Sequence, residues 1–194
     1  SRRLAICLIA AATLGWPMMG ASLAEDASAD IFDLVRAGDA AGVAKLVSGG
    51  VDVNARDGTG QTPLITAALA GQDDVALFLA THGADLMART DKGMTALHAA
   101  AYSGDTVIAR MLVERGAAIN DRANIAGITP LHAAAEEDRI EVVKELVKSG
   151  ADVTLVEANG YTAGSRAGWR EHWDVVKVLL AAGDACQPEA LAGA

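Results

Sequence analysis

Apolar positions along this chain fall into two alternating patterns. The first is a short run of small and apolar residues opened by a threonine: TPLITAALAG at 62–71, TALHAAAYSG at 95–104, TPLHAAAEED at 129–138 and TAGSRAGWRE at 162–171. The second carries apolar pairs four residues apart: Val75/Ala76 with Leu79/Ala80, Ile108/Ala109 with Leu112/Val113, Val142/Val143 with Leu146/Val147, and Val175/Val176 with Leu179/Leu180. That spacing lays each set along one face of a helix. The pattern therefore predicts two helices per period. Thr62, Thr95, Thr129 and Thr162 cap the first helix through their hydroxyls, and Pro63 and Pro130 fall in its first turn, where a missing N–H costs nothing. Leu64, Leu97 and Leu131 point inward. The alanine pairs 67–68, 100–101 and 134–135 let neighbouring helices approach closely. Gly71 and Gly104 end the first helix, and Gly83, Gly116, Gly150 and Gly183 end the second. The dozen or so residues left in each period, with their Asp and Gly, form an extended finger returning to the next threonine.

The threonines stand 33, 34 and 33 residues apart. Two further phrases keep the beat: GVDVN, GADLM, GAAIN and GADVT from Gly50, Gly83, Gly116 and Gly150, and glycines at 60, 93, 127 and 160. Over residues 29–183 this pattern resembles ankyrin repeats. The resemblance implies an all-α repeat solenoid of stacked helix–turn–helix units with β-hairpin-like fingers. The units run about 29–61, 62–94, 95–128, 129–161 and 162–183, followed by a tail at 184–194. Both outer units are atypical, as capping repeats are. The first lacks the TPLH phrase. The last has Gly164 for the inward leucine, Ser165 for the histidine and Gly168 for the second alanine, which predicts a weak helix that Trp169 and Trp173 compensate by covering the end of the stack. One beat is irregular. Gly116 to Thr129 spans 13 positions where the equivalent intervals span 12, so a displaced finger is expected at Asn120–Gly127.

Composition agrees with a helical stack. The chain of 194 residues is 52% apolar but only 4% aromatic, so its core must be aliphatic. The N-terminal segment has a separate role. Arg2 and Arg3 precede an apolar run from Leu4 to Leu14, a Gly15–Pro17 break, and small residues Ser22 and Ala24 ahead of Glu25. This is the order of a secretory signal peptide over 1–24, cleaved to leave a repeat domain over 25–183 in the periplasm or outside the cell. An uncleaved anchor is the alternative, although the run is short of the about 20 residues a span requires. Both the general secretory and the twin-arginine routes stay open. The whole chain carries a net charge of −9; cleavage would leave 14 basic against 25 acidic residues, or −11. Such a surface repels nucleic acid and anionic lipid.

Candidate chemistry is sparse. Cys7 lies in the leader, so Cys186 would remain as one thiol, with no internal disulfide and no thiolate zinc site. His82 falls in the last turn of a helix and His172 at the start of one, and no two histidines share zinc-motif spacing. No G-x-S-x-G elbow or phosphate loop occurs, Ser165 lacks flanking catalytic residues, and Glu136-Glu137-Asp138 followed by Arg139 reads as a solvated helix end. The expectation is a non-enzyme with no cofactor and no metal. By the resemblance, His98 and His132 are structural, bonding the threonine and the adjoining turns. The resemblance also implies that fingers and first helices line a concave face that grips a protein partner, with the domain itself monomeric. On that face fall Gln61, Asp91, Lys92, Met94, Tyr102, Ile125, Ile128, Tyr161 and Trp169, together with Thr59, Leu69, Ser103, Ala126, Glu136, Glu137 and Arg170. Met94, Tyr102, Ile125 and Ile128 are expected to form one apolar patch. A structural or protective accessory to an exported enzyme is the alternative function.

Overall fold

The threonine caps are where the fold begins. Thr62, Thr95, Thr129 and Thr162 are all extended N-cap residues, and each hydroxyl serves the helix that follows it. Pro63 and Pro130 occupy the first helical position. The computed structural model describes residues 31–184. It contains α1 (residues 31–37), α2 (Ala40–Ser48), α3 (Pro63–Ala70), α4 (Asp73–Thr81), α5 (Ala96–Ser103), α6 (Thr106–Glu114), α7 (Pro130–Glu136), α8 (Ile140–Lys148), α9 (Ala163–Trp169) and α10 (Trp173–Ala181). The expected leader, its cut before Glu25, Cys7, Cys186 and the tail beyond Asp184 lie outside the described residues.

The helices form five antiparallel pairs in two rows. The first helices of successive units, α3, α5, α7 and α9, pack side by side, and the second helices, α2, α4, α6, α8 and α10, form the parallel outer row. The inward leucines and the alanine pairs are fully or almost fully buried. With methyl groups at the contacts the inner row packs closely, and dispersion over many such contacts takes the place of large side chains. The outer row inserts Val75, Leu79, Ile108, Leu112, Val142, Val143, Leu146, Val175 and Leu179 into the same continuous core. Each outer helix closes with a glycine of positive φ, and the next N–H bonds back to the carbonyl five residues earlier, as Ala84 does to Leu79 and Ala117 to Leu112.

Glycine at the end of the first helix is a requirement met only in part. The φ values at Gly38, Gly71 and Gly104 are 73°, 65° and 91°. The same place in the last two units holds Asp138 at 56° and Glu171 at 64°, the two non-glycine residues with positive φ among those described.

The fingers are hairpin-like in their bonds, but no β-strand forms among the described residues. One main-chain bond closes three of them: Asp57 N–H to Gln61 O at 3.0 Å, Thr90 to Met94 at 2.9 Å, and Glu157 to Tyr161 at 3.0 Å. In the third finger the side chain of Asn124 closes the turn instead, donating from Nδ2 to Ile128 O at 2.6 Å and accepting from Ile128 N–H at 2.9 Å. The helices on both sides keep their beat, so the extra residue of this period sits in the finger. Adjacent fingers are joined by Asp91 N–H to Thr59 O, Ile125 N–H to Lys92 O and Ala158 N–H to Ala126 O, at 3.2, 3.5 and 2.9 Å. Arg56 donates to Arg89 O at 2.7 Å, and Arg89 in turn grips Asp121 with two bonds of 2.6 and 2.9 Å. The fingers thus form one tied row beside the inner helices.

Candidate functional site

The threonine–histidine pairs build the wall from which the concave face rises. Nδ1 of His98 lies 2.9 Å from Thr95 Oγ1, and its Nε2 donates to Ile128 O at 2.9 Å. His132 repeats this with Thr129 Oγ1 at 2.8 Å and Tyr161 O at 3.0 Å. Each imidazole therefore spans from its own helix to the foot of the following finger. Burial holds both pKa values below the usual histidine range, so the rings stay neutral and keep Nε2–H as donor. Their ring nitrogens are committed to these bonds, as the structural reading requires.

Between the first two complete fingers and helices α3 and α5 lies an open groove of about 530 Å³. Ile65, Leu69, Met94, Ala99 and Tyr102 give it apolar walls, and Gln61, Thr59, Thr90, Asp91 and Lys92 supply a polar rim. Tyr102 leaves 52% of its surface exposed. Seven residues expected on this face, Thr59, Gln61, Leu69, Asp91, Lys92, Met94 and Tyr102, converge here. Ile65, Thr90 and Ala99 are additions; the isoleucine standing where the next two units have His98 and His132 was the signal for the first.

The groove takes in two of the four residues expected as one apolar patch. Met94 and Tyr102 share the groove, but Ile125 and Ile128 are not among its walls. Ile125 stands at the tip of the third finger, 84% exposed. Ile128 is half-buried and packs against the core, because its carbonyl is drawn in by His98 and Asn124. Tyr161 and Trp169 form a separate shallow site with Asn159 and Arg166, their rings edge to face at 6.2 Å. Trp169 thus packs against the finger, and Trp173 remains exposed at the start of α10.

The acidic helix end also differs from its expectation. Glu136 is only partly exposed, whereas Asp138 stays exposed as expected. Arg166 and Arg170 both donate to its carboxylate, the latter at 2.7 Å, and His172 Nε2 reaches its backbone carbonyl at 3.0 Å. Burial alone would raise the Glu136 pKa, but the two guanidinium groups outweigh it and hold the carboxyl below its usual range. Behind Arg166, the Glu157 side chain is fully buried, accepting from Asn159 at 3.1 Å.

Among the described residues no group of three or more His, Cys, Asp or Glu side chains is placed to hold a metal ion, and no helix is long and apolar enough to cross a membrane. What the geometry offers is a rigid row of helices and fingers with an apolar groove open to solvent, an arrangement suited to receiving side chains of another protein. Comparison with curated proteins finds no match. The family described as Ankyrin repeats (3 copies) matches residues 31–123 and again 121–189, and its members are generally protein-interaction scaffolds. With most of its length matched and the same repeat visible in its caps, histidines and fingers, this chain belongs to the ankyrin-repeat family.

Proposed function

We propose that the protein is an exported, monomeric ankyrin-repeat scaffold that holds a partner protein against its concave face of fingers and first helices. The observation that carries this reading is the groove between α3, α5 and their fingers, where Leu69, Met94 and Tyr102 are left accessible beside Asp91 and Lys92. Tyrosine and methionine with a polar rim are what protein interfaces enrich. A tyrosine at the centre of such a surface is worth about 2 kcal/mol or more when truncated. Export rests on the basic, apolar and small-residue order of residues 1–24.

Photo-crosslinking tests the face. A photoreactive phenylalanine analogue at position 102 should capture a discrete partner from the exported fraction, and the same analogue at position 177, on the outer row, should not. Equal capture at both positions, or capture at position 102 that survives Leu69→Ala with Met94→Ala, would place the interface elsewhere. Intact mass of the exported protein tests the address. A chain beginning at Glu25 is expected, and one that retains Leu4–Leu14 contradicts cleavage.

A further inference from the structure

The outer row repeats a charge pattern that fails at one place. In α8 and α10 an acid and a lysine three residues apart pair on the exposed face: Glu141 with Lys144 at 2.7 Å, and Asp174 with Lys177 at 2.9 Å. The same two positions in α4 are Asp74 and Leu77, and in α6 they are Val107 and Arg110. Each helix has thus exchanged one member of its pair for a branched apolar residue, and the exchanged members face each other. Leu77 is 46% and Val107 59% exposed. With Met111 and the buried Ile108 they line a groove of about 420 Å³ between α4 and α6.

The rim of this groove has one sign. Asp73, Asp74 and Glu114 line it. Its one basic wall residue, Arg110, turns away to Glu145 on α8, making two bonds of 2.9 Å. Among the described residues none of the three acids joins an ion pair. Asp73 and Asp74 suit the N-terminus of α4, but Glu114 is the last residue of α6, where the helix dipole disfavours a negative charge. Burial, together with the neighbouring Asp105 and Asp74, holds the Asp73 carboxyl above its usual range, so a nearby cation would relieve it.

We infer that the convex groove between α4 and α6 is a second docking surface, for a basic amphipathic segment of a partner protein. An aliphatic or aromatic side chain of that segment sits between Leu77, Val107 and Met111. Its lysines or arginines lie along the rim against Asp73, Asp74 and Glu114. The surface is on the opposite side of the stack from the concave face, so this inference stands or falls independently of that reading. With both surfaces occupied, the domain bridges two proteins.

The test titrates a fluorescent helical peptide with one leucine face and one lysine face into the full chain, with a glutamate-for-lysine peptide as control. The lysine peptide should bind, more weakly at higher salt, and the control should not. Leu77→Lys with Val107→Glu gives α4 and α6 the charge pattern of α8 and α10. It should weaken binding about tenfold or more, the scale of losing one well-buried aliphatic contact. Asp74→Asn with Glu114→Gln keeps the apolar floor and should also weaken binding, whereas Tyr102→Ala should leave it unchanged. Circular dichroism checks that each variant is folded. Absence of peptide binding, unchanged affinity in both double variants, or a loss confined to Tyr102→Ala would overturn the inference. So would sedimentation showing a dimer that Leu77→Lys with Val107→Glu dissociates, which would make a second copy the occupant.

Discussion

The last repeat contains a paired exchange whose coupling can be measured. Elsewhere the inward position of the first helix is Leu64, Leu97 or Leu131, and the residue after the closing glycine is Ala84, Ala117 or Ala151. In the last unit these become Gly164 and Asp184. The Asp184 carboxylate enters the space a leucine would fill and accepts the Gly164 N–H at 2.7 Å, while its other oxygen is buried with no partner. A Cβ at position 164 would stand 2.3 Å from Asp184 Oδ2. Gly164→Ala must therefore break a charge-assisted bond worth about 1.5–3 kcal/mol, against a helix-propensity gain of about 1 kcal/mol. The single variant should lose about 0.5–2 kcal/mol. Asp184→Ala loses the same bond and the contact with the Thr162 hydroxyl, but also removes the buried oxygen without a partner, and should cost less than about 1 kcal/mol. In the double variant the methyl enters vacated space and the propensity gain is kept. The two changes should then be coupled by about 2 kcal/mol, the double variant being more stable than the sum of the singles. Urea denaturation of the four proteins, followed by far-ultraviolet circular dichroism, measures the cycle. Additivity within about 0.5 kcal/mol would refute the argument. Burial also raises the Asp184 pKa, so the stability of the neutral form is lost as pH rises through the folded pKa. Asp184→Asn should accordingly gain more at about pH 7 than at about pH 4.

Three other outcomes follow from local geometry. Glu171→Gly relieves a left-handed residue that forms no ion pair among the described residues, and should stabilise by about 1 kcal/mol, read as a rise in Tm of about 3 °C. Asp138→Gly should gain less, since Asp138 Oδ1 stands 3.9 Å from His172 Nδ1. The depressed pKa values of His98 and His132 mean that the unfolded chain binds protons first, so stability should be intact above about pH 6.5 and fall as pH drops from there toward the folded values. Denaturation midpoints of wild type and of His98→Gln with His132→Gln, compared across that window, should show a flatter profile for the variant. Ile128→Ala, which thins the core, should cost about 2 kcal/mol in urea, whereas Ile125→Ala at the finger tip should leave the melt within about 0.5 kcal/mol of wild type.

The repeat, its caps and its core were legible in the sequence because each is a local rule repeated. A threonine before a helix, a leucine pointing inward and a glycine after the last turn have the same consequence at 62, 95 and 129, so their spacing alone located the helices. The extra residue before Thr129 was placed in its finger for the same reason. What the sequence could not determine depends on groups brought together from different repeats. Glu136 reads as a solvent-facing acid until Arg166 and Arg170, 30 and 34 residues away, close on it. Ile128 sits at a finger position, yet the bond from His98 to its carbonyl, 30 residues away, draws it inward. Gly164 reads as a defect until Asp184 fills its place. Leu77 and Val107 are ordinary exposed residues on their own helices and make a surface only because stacking sets α4 beside α6. Periodicity fixes which face of an element is buried. The partner each remaining side chain meets is set by the superposition of one repeat on the next.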